Sequence, residues 1–117
     1  IKFVSQDAFS NLKKLERLYL NGNEFISLFF NLEPLSQLRN FSMSDNKLSI
    51  LPDDHFKGNK KLEWVWIKNN KIKFINPNLF DNLNELKYVD LNNNTCINSH
   101  YYTSDFASMK SKISSDC

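Results

Sequence analysis

The sequence predicts a repeat solenoid of the α/β class, with short parallel strands forming a sheet on one side and irregular loops on the other. Three observations carry that prediction. A self-similar segment opens at Leu15, Leu38, Leu62 and Leu86, at successive offsets of 23, 24 and 24 residues, and a fixed period of this length marks stacked repeats. Each segment has the same order of apolar and variable positions ending in asparagine: Leu15, Leu18, Leu20, Asn23; Leu38, Phe41, Met43, Asn46; Leu62, Val65, Ile67, Asn70; Leu86, Val89, Leu91, Asn94. Apolar and variable residues alternate with period two, which describes a strand with one buried and one open face, whereas a helical period fails after the asparagine. Strands one repeat apart run in the same direction after a loop of about fifteen residues, so they pair in parallel.

Taken in order, residues 1–14 fit the back half of a fifth unit, because Ile1, Phe3, Val4, Phe9 and Leu12 align with Ile72, Phe74, Ile75, Phe80 and Leu83. An apolar end of this kind calls for further repeats or an N-terminal module to cover it, so a longer natural polypeptide is expected. Beyond each repeat asparagine comes another inward position, filled by Phe25, Leu48, Ile72 and Cys96, and the outer side adds Phe56 and Phe80. The repeat opening at Leu15 is one residue short, and Asn59 stands where an apolar residue is usual, so the outer side is expected to be irregular there. After Asn94 the pattern stops. Residues 96–117 read as a capping segment, in which Ser104 starts a short helix with Phe106, Met109 and Ile113 on one face. The array proper occupies residues 1–95.

The stretch LERLYLNGNEF at 15–25, with three more like it, resembles the typical subclass of extracellular leucine-rich repeat proteins over about residues 1–95. The resemblance implies a right-handed superhelix with its sheet on the concave face, and an asparagine ladder through Asn23, Asn46, Asn70 and Asn94, whose side chains both donate and accept. It also implies that Cys96 and Cys117 form a disulfide, as in the cysteine-bearing C-terminal caps of secreted members. Closing that loop contributes about 3 kcal/mol and implies an oxidising, extracellular setting. The alternative is two free buried thiols in an intracellular protein.

Leucine-rich proteins engage partners through the concave sheet, so the variable strand positions are the candidate site. One set is Arg17, Asn40, Trp64 and Tyr88; the other is Tyr19, Ser42, Trp66 and Asp90. Parallel neighbours lie ~4.8 Å apart, which makes Trp64, Trp66, Tyr88 and Tyr19 an aromatic platform of the kind that anchors interfaces. Arg17, Lys68 and Asp90 are the charged candidates beside it, with Lys87 and Glu63 completing a mixed rim. The competing reading is that the rings stack on one another and on the Arg39 or Lys68 stems merely to cover the sheet. Asn40 and Asn93 open glycosylation sequons, which matter if the chain is secreted. Lys57, Lys60, Lys61, Lys68, Lys71 and Lys73 read as solvated surface.

The chain of 117 residues carries 15 basic and 13 acidic side chains, a net charge of +2, which offers little attraction to nucleic acid. No run reaches the ~18 apolar residues of a membrane span, and the segment opening at Ile1 does not itself read as a leader. His55 and His100 lack companions at metal-ligand spacing and read as ordinary surface residues. No phosphate loop or nucleophile motif is present, so neither cofactor nor catalysis is expected. The expected partner is a protein ligand or co-receptor, in innate immunity, adhesion or receptor signalling by family analogy. A structural or dimerisation scaffold is the rival.

Overall fold

A computed structural model describes residues 4–28, 30–52 and 54–117. Four of the strands come from the repeats: β1 (Arg17–Tyr19), β2 (Asn40–Ser42), β4 (Trp64–Trp66) and β6 (Tyr88–Asp90). They pair in parallel with the repeat register intact, so that Arg17, Asn40, Trp64 and Tyr88 form one row across the sheet and Tyr19, Ser42, Trp66 and Asp90 another. The residue between them in each strand, Leu18, Phe41, Val65 or Val89, is buried. Alternation therefore places one residue of each three-residue strand in the core and two on the open face.

The asparagine after each strand turns the chain and ties neighbouring repeats together. Asn46 Nδ2 donates to the carbonyls of Leu20 (2.9 Å) and Met43 (3.1 Å), while its Oδ1 accepts the Phe25 amide at 3.1 Å. Asn70 repeats this with Met43, Ile67 and Leu48, and Asn94 with Ile67, Leu91 and Ile72. Asn23 Nδ2 donates to Leu20 O at 3.0 Å. Beside this inner ladder runs a second one that the repeat pattern does not announce. Gly22, Asp45, Asn69 and Asn93 occupy equivalent positions and all have left-handed backbone, with φ of 68, 59, 56 and 55°. Asn93 Nδ2 donates to Asn69 Oδ1 (2.8 Å) and Asn69 Nδ2 to Asp45 Oδ1 (2.7 Å). A carboxylate only accepts, so Asp45 ends the series, and Gly22 has no side chain to continue it.

The outer side is more ordered than the sequence suggests. Two short strands, β3 (Ile50–Leu51) and β5 (Phe74–Ile75), pair in parallel there. A row of rings lies inside, with Phe25 against Phe30, Phe41 against Phe56, and Phe56 stacked on Phe80 at 6.0 Å. The short repeat is accommodated locally. Asn59 is fully buried and donates to the carbonyls of Leu32 (2.8 Å) and Leu35 (3.0 Å), a task a leucine could not perform. At Gly58, a Cβ would come within 2.6 Å of the Glu33 carbonyl oxygen, so the absence of a side chain permits the close approach. His55 is not an ordinary surface residue: it is wedged between Phe30 and Phe56, and its Nε2 is buried with no hydrogen-bond partner among the described residues.

The last unit departs from the parallel pattern. Strand β7 (His100–Tyr102) adds antiparallel to β6, pairing Tyr102 with Tyr88 and His100 with Asp90. A 3-10 turn (Thr103–Asp105) follows and leads into α1 (Phe106–Asp116), which buries Met109 and Ile113. Ser104 therefore lies inside the turn and does not start the helix; the Asp105 carboxylate instead accepts the Tyr102 amide at 3.3 Å. Cys96 and Cys117 are disulfide-bonded, with Cα atoms 5.2 Å apart. At the other end Val4 and Phe9 are half-buried and Leu12 is exposed; Ile1 and Phe3 lie outside the described residues. No helix among the described residues is long and apolar enough to cross a membrane.

Candidate functional site

The open face of the sheet carries a continuous row of aromatic side chains. Tyr19 meets Trp66 edge-on at 6.4 Å, Trp66 stacks on Trp64 at 6.1 Å with planes 10° apart, and Trp64 leans on Tyr88 at 5.8 Å. The row continues onto the cap, where Tyr88 lies 4.9 Å from Tyr102 and 5.9 Å from His100. The repeat motif could not place His100 and Tyr102, because they belong to the antiparallel strand. The outward, inward, outward alternation of His100, Tyr101 and Tyr102 was the available signal. Tyr19 and Tyr102, at the two ends, are 53% and 54% exposed, whereas Trp64, Trp66 and Tyr88 between them are half-buried by their neighbours.

The charged candidates divide into three situations. Asp90 is buried, not part of the rim: its Oδ1 accepts the Asn92 amide (3.0 Å) and Asn92 Nδ2 (2.9 Å), and the Tyr88 hydroxyl points to Oδ2 at 3.4 Å. Alternation predicts the side on which Asp90 emerges but not that Asn92 and Tyr88 close over it. Burial, followed by the Asp90 charge, pushes the Tyr88 phenol up from its usual range, so Tyr88 presents a neutral hydroxyl. Glu63 is the centre of an ion-pair chain along one edge, with Lys87 at 3.0 Å and Arg39 at 2.6 Å, and Arg39 reaches on to Glu16 at 3.3 Å. The hydrogen bond from Lys87, and then that from Arg39, hold the Glu63 carboxyl below its ordinary value. Arg17 and Lys68 are exposed, and no carboxylate lies within salt-bridge distance of either among the described residues.

A recess of about 290 Å3 is lined by Tyr19, Asn21, Ser42, Ser44, Asp45, Trp66 and Lys68. The two sequon asparagines are already engaged: Asn40 Nδ2 donates to the Tyr19 hydroxyl at 3.2 Å, and Asn93 belongs to the outer ladder. No cluster of histidine, cysteine or acidic residues able to hold a metal ion occurs among the described residues.

The leucine rich repeat family model matches residues 36–95, more than half of the chain. The chain belongs to the leucine-rich repeat family. Among curated proteins this leucine-rich chain is similar to Toll-like receptor 3 of Homo sapiens, 33% identical over 103 residues that cover 80% of the chain and 11% of the relative. It is also similar to the leucine-rich repeat transmembrane protein FLRT2 of Rattus norvegicus, 32% identical over 96 residues, covering 80% of the chain and 14% of the relative. Among solved structures, the TLR13-ssRNA13 complex superimposes with a TM-score of 0.72 at 26% identity, covering 80% of this chain and 13% of that one. The chain thus spans roughly a tenth of the length of these relatives, and its solenoid shares the architecture of the structural one.

Proposed function

We propose that this leucine-rich segment serves an extracellular recognition protein and binds a protein ligand through the aromatic row on its concave face. The observation that carries the reading is the unbroken series Tyr19, Trp66, Trp64, Tyr88 and Tyr102, which lines the open face of the sheet with large, rigid side chains, exposed at the two ends and half-buried between them. Such rings contribute large contact area at low rotamer cost, and interfaces concentrate their energy in them. Arg17 and Lys68 beside the row, with no salt-bridge partner among the described residues, supply donors for orientation. The receptor and transmembrane relatives support a cell-surface setting, and a disulfide persists best in an oxidising compartment. The proposal assigns the chain no catalytic role.

Affinity capture from extracellular fluid of the source, with the full-length protein beside its Trp64→Ala/Trp66→Ala double variant, tests the reading. A partner retained by the parent and lost from a variant of unchanged circular dichroism supports it; equal retention overturns it. Losing two hot-spot rings weakens binding at least about thirtyfold, the equivalent of 2 kcal/mol. A single-stranded RNA ligand is a second reading, favoured by the RNA-bound structural relative and by the capacity of stacked rings to take bases. An oligonucleotide titration separates the two: binding that falls steeply with added salt points to RNA.

A further inference from the structure

Asn21 is the asparagine of this chain that glycine follows, and the adjacent repeat hydrogen-bonds to both residues. Asn21 is exposed just beyond β1 and lines the same recess as Tyr19 and Trp66. Its side-chain oxygen accepts two hydrogen bonds, from the Ser44 amide at 2.9 Å and from the Ser42 hydroxyl. The Gly22 amide donates to the carbonyl of the same Ser44 at 3.1 Å. One residue of the adjacent repeat, Ser44, is therefore hydrogen-bonded both to the Asn21 carboxamide and to the Gly22 nitrogen. Around Gly22 there is open space, since a Cβ placed there would meet nothing within 4 Å.

From this geometry we infer that Asn21–Gly22 is a site of spontaneous amide-to-acid conversion, which places a negative charge at the recess of the binding face. The Gly22 nitrogen attacks Asn21 Cγ, forming a C–N bond. Charge developing on Oδ1 meets the two donors already aimed at it, the arrangement that stabilises an oxyanion. The Cγ–Nδ2 bond breaks, and the nitrogen leaves as ammonia with the proton that Gly22 gives up. Solvent water then opens the cyclic imide at either carbonyl, giving aspartate or its β-linked isomer. Proximity makes the first step unimolecular, and glycine has no side chain to screen its nitrogen. At the other asparagines the following residue is larger. In the aspartate form one carboxylate oxygen inherits both donors, and the other adds charge to the recess bordered by Lys68.

Peptide mapping of the folded protein during incubation at neutral pH tests the inference. Residue 21 is expected to lose its amide first, yielding both acid isomers. Gly22→Asn is expected to slow conversion at residue 21 to the rate of the other exposed asparagines without unfolding, because Asn69 and Asn93 occupy the same left-handed position in later repeats. Ser42→Ala is expected to slow conversion by up to about tenfold, the kinetic equivalent of one net hydrogen bond. An Asn21 amide that lasts as long as those of exposed Asn11 and Asn84 overturns the inference, as does an unchanged rate in Ser42→Ala.

Discussion

Asn70 has three carbonyl oxygens within reach of its Nδ2 and one amide on its Oδ1, so its removal strands partners in two repeats at once. Unmade buried hydrogen bonds cost more than made ones contribute. Asn70→Ala should therefore destabilise by about 2 to 3 kcal/mol, read as a lower urea midpoint at unchanged slope. His55 differs in kind, because burial lowers its pKa from 6.5 to about 4. The unfolded chain then takes up a proton before the folded one does. Stability holds above pH 6.5, falls between 6.5 and 4, and levels below that, with a total loss of up to about 3 kcal/mol. His55→Leu should flatten that part of the pH-stability curve; an unchanged curve would show that another group is responsible. Repeat position marks Asn70 out in the sequence, whereas the sequence gives His55 no such mark, because its burial depends on Phe30 and Phe56 meeting across repeats.

Elements were legible in proportion to how much of their logic is local. Strands β1, β2, β4 and β6 follow from alternation inside a fixed period. Strands β3 and β5, two residues each, are too short to show periodicity, and β7 exists through its pairing with β6 alone. The helix α1 was visible from its apolar face, but its start was set by Asp105 folding back onto Tyr102. The cap makes a clear prediction: replacing both Cys96 and Cys117 by serine should cost about 3 kcal/mol. Differential scanning calorimetry, with the parent under reducing conditions as control, measures it. Gly58→Ala should destabilise by about 1 to 3 kcal/mol through overpacking against the Glu33 backbone. A thermal midpoint equal to that of the parent would mean that the loop yields freely.

Over the whole molecule, the repeat period yielded the architecture and the aromatic face together, since both depend on which residue of each repeat points outward. What it could not yield was closure. His100 and Tyr102 join the site because the final unit folds back instead of continuing. Both tryptophans of the chain lie on the proposed binding face. Intrinsic fluorescence should therefore shift when a partner docks there, and a bound partner that leaves the emission unchanged must occupy another surface.

The constant register between neighbouring strands has a consequence for inheritance. Residues one period apart in the chain are neighbours across the sheet, and Phe41 stands to Val65 as Val65 stands to Val89. Duplicating or deleting one period in the gene would lengthen or shorten the stack by a single rung, about 4.8 Å, and return every flanking residue to an equivalent environment. Such a molecule can change the reach of its aromatic face in one genetic event, leaving mutation to adjust only the side chains that face outward.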